Sequence, residues 1–376
     1  VRTSFTLGRA FGIPIRINYT WFLIFFLLTL YLALGELPAS YRGLPSPLYW
    51  LAGILGSLLL FASVVAHELA HSLVARRQGV PVRNITLFLF GGVSSIEQEA
   101  ERPGEELLMA GVGPATSLVL ALLSVLIALL FRLGQGGVFL LANGLFLRLT
   151  WWNLFLAGFN LLPGLPLDGG RILRAVLWLL GRDYRRATEI AAAAGRLISF
   201  LLIGGGIVWA LSGDWGSGLW LVLIGWFMDN AASQSYQQVL LREALRQVNV
   251  ATLMTPECQR IPRGLSVASL VDDYVLRQGG RCFVVTEEDR LAGLVTMHNI
   301  RDLPRERWPY TPVGEIMVPY GRLVLAHPEE DAWSVLLRMD RHNVNQMPVE
   351  EAGRLVGLIA RENLLRYVRT RAELGL

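Results

Sequence analysis

The chain has 376 residues, of which 53% are hydrophobic and only 17% charged, where soluble globular proteins carry about a quarter charged. A mean hydropathy of +0.44 excludes a single soluble domain. The net charge of +4 does not point to nucleic acid, because the 34 basic residues, all Arg, cluster at the ends of apolar runs rather than in one stripe.

Residues 1–235 hold those apolar runs, whereas 240–376 have the composition of an ordinary soluble domain. A membrane-crossing helix needs about 20 apolar residues. Segments 18–35, 50–75, 107–131, 139–162, 187–211 and 217–234 meet that need, so about six crossings are expected. A polar, basic leader precedes the first, which is read as a retained helix rather than a cleaved signal. Arg2, Arg9 and Arg16 precede span one, and Arg76, Arg77 and Arg83 follow span two. Arg171, Arg174, Arg182, Arg185 and Arg186 follow span four, and Arg242 and Arg246 follow span six, while the opposite loops offer little beyond Arg42, Arg132 and Arg148. Positive loops face the cytosol, which places both termini and the soluble half there. A prokaryotic inner or plasma membrane is the expected location.

Two stretches inside the membrane half are not helical in pattern. Residues 85–96 combine β-formers with the Gly91-Gly92 pair and are too short to cross, which predicts a hairpin or re-entrant strand. From Asn160 to Gly170, two prolines and three glycines break the fourth apolar segment. Cys258 and Cys282 lie in the soluble half without metal-ligand spacing, as in ordinary proteins of a reducing compartment.

The second span contains His67-Glu68-Leu69-Ala70-His71. Residues i and i+4 of a helix share a face, so both imidazoles can reach one metal ion, and Glu68 stands where it can address a water on that metal. The alternative is a set of polar groups satisfied within a helix bundle. These are the only His residues of the membrane half, and ionisable groups at that depth are expensive enough to be functional by default. Two His leave a tetrahedral site one protein ligand short. Asp168, in the broken Leu-Asp-Gly-Gly stretch, is the best remaining candidate. An Asp there can also cap the helix starting near Arg171, but the unfilled ligand position favours the metal.

His67-Glu68-x-x-His71, followed by Asn160-x-x-Pro163 and Leu167-Asp168-Gly169, resembles the site-2 protease family of intramembrane metalloproteases. The resemblance covers most of 1–235. It implies His67, His71 and Asp168 as ligands of one Zn2+, and Glu68 as the base that activates water against a peptide bond. It also implies that the 85–96 strand, with Gly91 and Gly92, pairs with an unwound membrane-spanning protein substrate. Asn160 matches a family Asn that can hold the substrate backbone, although a helix-end hydrogen bond is the plain alternative. Gly113-Pro114 resembles the family's third core helix, but Ser117 stands where Asn is frequent, which puts a polar role for that helix in doubt.

The soluble half reads as a duplicated unit. Leu253-Met254-Thr255-Pro256 and Ile316-Met317-Val318-Pro319 open the two copies, and Gly293-Leu-Val-Thr296 and Gly357-Leu-Ile-Ala360 lead into their last helices. The pattern resembles a tandem of CBS modules. That family implies an adenine nucleotide at Thr296 and Asn299, yet Asn replaces the expected Asp in both copies and Ala360 replaces a hydroxyl. A purely structural pair that forms a homodimer is the alternative. The expected fold is thus a polytopic α-helical membrane domain with a short re-entrant β segment plus a soluble α/β CBS pair. Its expected boundaries are 1–247, 248–308 and 309–376. The expected function is an intramembrane zinc endopeptidase embedded in the bilayer. The alternatives are a CBS-regulated transporter, which should show internal membrane repeats, and an inactive zinc-binding relative, which should lack Glu68.

Overall fold

A computed structural model describes residues 4–96, 100–256, 259–280, 282–287, 290–352 and 354–374. It divides into two compact units, Val1–Gln237 and Gln238–Leu376.

The first unit opens with two strands where the sequence reading placed only a polar leader: β1 (Ser4–Ala10) and β2 (Ile13–Asn18). They form a hairpin whose two central residues, Phe11 and Gly12, both have positive φ, the backbone a tight two-residue turn requires. Ile13, Ile15 and Ile17 alternate with Pro14, Arg16 and Asn18, and Ile13 and Ile17 are buried. That period of two was overshadowed by the basic residues between.

Asn18 caps the first helix, α1 (Tyr19–Ser40), by accepting from the Thr20 amide, and residues Tyr31–Glu36 of α1 are wound as a π-helix. Then come α2 (Ser46–Arg77), β3 (Val82–Phe88), β4 (Gly91–Ile96), α3 (Pro103–Arg132) and α4 (Gly137–Asn160). After the broken segment follow α5 (Asp168–Gly181), α6 (Tyr184–Leu211) and α7 (Trp215–Arg246). The expected hairpin at 85–96 is present but starts at Val82 and is larger than expected. β3 runs parallel to β2, giving one sheet in the order β1-β2-β3-β4. Ile17 and Leu87 of that sheet pack on Trp21 of α1 and on Phe61 and Val64 of α2, just before His67.

Among the described residues five helices, α1 to α4 and α6, are long and apolar enough to cross a membrane. Their outward Leu and Phe residues, Phe26, Leu122, Phe155 and Leu201 among them, are exposed in the protein, as side chains bathed in lipid would be. The sixth expected crossing forms the first half of α7, where Asp229 and Asn230 interrupt the apolar run. The protein is an integral membrane protein. Most of the arginines read as flanking the spans lie on helices, and two of them turn inward to acidic partners. Arg148 sits within α4, with its Nε 2.5 Å from Glu36 Oε1 and its Nη2 donating to Ser40 Oγ at 3.1 Å. Arg174 is buried on α5 against Glu106. Sequence position did not show the acidic partners that draw them inward.

The second unit has the expected internal duplication. Its first sheet contains β5 (Arg260–Pro262), β6 (Cys282–Glu287) and β7 (Arg290–Thr296), the last leading into α8 (Met297–Arg301). The second copy contains β8 (Val318–Pro319), α9 (Ala332–His342), β9 (Gln346–Glu351), β10 (Arg354–Ala360) and α10 (Arg361–Glu373). Each copy's opening segment completes the other's sheet: Val318 pairs with Leu294 on β7, and Thr255 bridges to Leu358 on β10. Two separate apolar cores result, one around Phe283 and Val285 and one around Met347 and Val349. Cys282 lies on β6 and is in no disulfide, while Cys258 falls outside the described residues.

Candidate metal centre

Helix α2 presents His67 and His71 on one face, and α5 begins with Asp168 itself, its N-cap being Leu167. Asp168 is therefore not the cap of that helix. Its carboxylate turns to the imidazoles instead. Asp168 Oδ2 lies 3.1 Å from His67 Nε2 and 3.2 Å from His71 Nε2, and the two Nε2 atoms are 3.2 Å apart. All three residues are buried, and they are the group of potential ligands found among the described residues that can hold a metal ion.

The donor set can be tested against a zinc ion. Ligands at about 2.0–2.1 Å on a tetrahedron are separated by about 3.3 Å, close to the three observed separations. Protonation points the same way. His71 Nδ1 lies 2.6 Å from the Met109 carbonyl oxygen, which can only accept, so Nδ1 carries the proton and a neutral ring has a bare lone pair at Nε2. That lone pair faces a carboxylate oxygen and a second imidazole nitrogen, an arrangement that repels unless a cation or proton lies between them. The residues fit the metal.

Helix α3 supplies the supports. Met109 O orients His71, and Ser117 Oγ lies 2.9 Å from His67 Nδ1, so each ring is held from behind. The doubt that the sequence raised over a polar role for this helix does not stand, because Ser117 itself meets His67 Nδ1. The closeness of approach rests on Gly113, where a Cβ would lie 2.7 Å from His67 Nε2 and 2.5 Å from His71 Cε1.

Glu68, half-buried, stands next to His67 on α2, and its carboxylate reaches β4. Its Oε2 accepts from Ser94 Oγ at 2.7 Å, and Ser94 also bonds Ser72 Oγ at 3.2 Å. Ser94 was missed in the sequence, since a Ser within a β-rich stretch carries no spacing signal. Gly92 lets β4 lie against α2, because a Cβ there would meet Glu68 Cγ at 2.7 Å. Gly91 has φ +128° and open space around it. β4 is an edge of the sheet, with no strand on its outer side among the described residues. Asn160, the last residue of α4, donates from its amide to Leu156 O at 3.0 Å, the helix-end bond named as its alternative.

In the second unit, Thr296 and Asn299 line a cleft of about 1120 Å3 together with Arg322, Arg366 and Arg369. Asn299 Oδ1 accepts from both the Thr296 amide (2.9 Å) and hydroxyl (2.8 Å), forming a capping box for α8. In the second copy Asn363 donates to Leu253 O and Thr255 Oγ1.

Both units of the chain are similar to known proteins. The profile of peptidase family M50 matches residues 55–143 and 138–202, and that of the CBS domain matches 313–370. The Rip3 protein of Mycobacterium tuberculosis, whose name proposes a zinc metalloprotease, is 36% identical over 98% of this chain and 93% of its own. A Synechocystis protein named in the same terms is 33% identical over 99% and 97%. A solved site-2 protease from Methanocaldococcus jannaschii is 31% identical and covers 62% of this chain and 95% of its own, with a TM-score of 0.43. With relatives this similar along nearly its whole length, the chain belongs to the site-2 protease family of peptidase family M50.

Proposed function

We propose that the protein is a zinc endopeptidase that cleaves a membrane-spanning or membrane-tethered protein substrate. The observation that carries this reading is the buried triangle of His67 Nε2, His71 Nε2 and Asp168 Oδ2, with Glu68 next to His67 on the same helix. Those three residues would hold one Zn2+, leaving a coordination position for reactants. Zinc held there would supply Lewis acidity toward water and a peptide carbonyl. Glu68 then takes the proton from the attacking water and delivers it to the leaving amine. Ser94, donating to Oε2, keeps that carboxylate in one rotamer.

The outer edge of β4, with Gly91 and Gly92, offers unpaired backbone groups to an extended substrate segment. Asn160 would bind the substrate backbone by exchanging its intrahelical bond. The Arg distribution supports placing both termini on the cytosolic side of a prokaryotic inner or plasma membrane, with α7 as a sixth crossing. The CBS-type half would bind an adenine nucleotide weakly, in its first copy, and would join two chains as a homodimer.

Metal analysis and a membrane-substrate cleavage assay on the full chain test the reading. Wild-type protein should carry about one zinc, as the ligand count of a catalytic site requires. Glu68→Gln should keep that zinc and lose cleavage, whereas His67→Ala with His71→Ala should lose both. Zinc retained by the double His variant overturns the ligand assignment, and turnover by Glu68→Gln overturns the base.

A further inference from the structure

Helix α5 holds a metal ligand at its first residue and is only 14 residues long, so something must set it against α2 and α3. Its face carries Asp168, Arg171 and Arg174 at i, i+3 and i+6. The facing stripe of α3 carries Glu106, Met109, Gly113 and Ser117, spaced by three or four residues. From Met109 onward, each position of that stripe serves the imidazoles: an acceptor for His71, a close approach to both rings, a partner for His67. Glu106 opens the same stripe but meets the arginines of α5.

Glu106 is 1% exposed and Arg174 5%. Arg174 Nε donates to Glu106 Oε1 at 2.8 Å, and Arg174 Nη2 donates to the same oxygen. The Arg174 guanidinium also lies over the Tyr184 ring, 5.0 Å from its centroid. Arg171 Nε is 3.9 Å from Glu106 Oε1, and its Nη2 is 3.1 Å from Met109 Sδ. Glu106 Oε2 is buried with no hydrogen-bond partner among the described residues. A buried ion pair with one oxygen unserved is a poor source of stability, since apolar residues of similar volume often serve as well or better. What it does provide is direction: two N–H groups of a planar fork on one oxygen fix how far α5 slides and turns against α3, which apolar packing leaves looser.

We propose that Glu106, gripped by Arg174 and Arg171, is the positioning group of the metal centre, holding the Asp168 carboxylate in register with the α3 stripe that holds the two imidazoles. The inference rests on the zinc reading above. It predicts that removing the pair loosens the metal without unfolding the protein. The full chain is purified in detergent with zinc, and with cobalt(II) in its place. Zinc release to a competing chelator, the visible spectrum of the cobalt form and thermal unfolding are measured for wild type, Glu106→Gln, and the paired Glu106→Met with Arg174→Met. The apolar pair avoids the unpaired buried charge that can unfold a single variant.

Both variants should give up zinc about 10–100-fold more readily, the usual loss when a group that orients a ligand is removed. The cobalt spectrum should shift, and the apolar pair should unfold near the wild-type temperature. An apolar pair with wild-type zinc retention and an unchanged cobalt spectrum overturns the proposal. If wild-type protein itself holds neither metal, the zinc reading fails, and this inference with it.

Discussion

Replacing Gly113 by Ala adds one methyl group where α3 closely approaches His67 and His71. The new Cβ would overlap His71 Nε2 outright and lie 2.5 Å from His71 Cε1 and 2.7 Å from His67 Nε2. Carbon atoms in contact rest at about 3.5 Å, so about 1 Å of movement is needed. Neither ring can swing aside alone, because Met109 O and Ser117 Oγ hold their far nitrogens from the same helix that carries the methyl. The helices must separate or the rings must leave their partners. Metal sites tolerate about 0.2 Å of error in ligand distance, so a shift of about 1 Å dismantles the triangle. Overpacking of this kind also costs about 1–3 kcal/mol of stability. Gly111→Ala is the control: on the same helix, its Cβ meets nothing within 4 Å, and Ala in a helix gains about 0.5–1 kcal/mol over Gly. Metal content by elemental analysis and thermal unfolding in detergent should separate the two, with Gly113→Ala losing zinc and Gly111→Ala keeping it at equal or higher stability. A folded Gly113→Ala protein with a full equivalent of zinc would refute the packing argument.

Ser94→Ala removes the hydroxyl that donates to Glu68 Oε2. Hydrogen bonds to charged groups are worth about 1.5–3 kcal/mol, so kcat should fall about tenfold or more while zinc stays bound. An unchanged kcat would show that the Glu68 rotamer is set elsewhere. Asn299→Asp keeps the acceptor that caps α8 and adds a charge facing the cleft. Because a charge-assisted bond is roughly twice as strong, ATP or AMP titrated into the full chain by calorimetry should bind about tenfold more tightly. Unaltered affinity would mean that Asn299 only caps the helix.

Much of this protein was legible in one dimension. A helix converts spacing directly into position, so His67 and His71 at i and i+4 had to share a face, and five of the six apolar runs became helices of membrane-spanning length. The duplicated openings at Thr255 and Val318 likewise announced two modules, although not that each completes the other's sheet. What depended on contacts between distant segments was not legible. The strands at Ser4–Ala10 and Ile13–Asn18 became recognisable only once β3 paired with β2, because their pattern alone looked like a basic leader. Ser117 read as a departure and turned out to orient His67, since what matters is the distance between α2 and α3, and Gly113 sets that distance. Ser94, Met109 and Glu106 carry no motif at all. Their roles arise from a hydroxyl, a carbonyl and a carboxylate brought to particular atoms by packing, and hydrogen-bond geometry of that kind exists only in three dimensions.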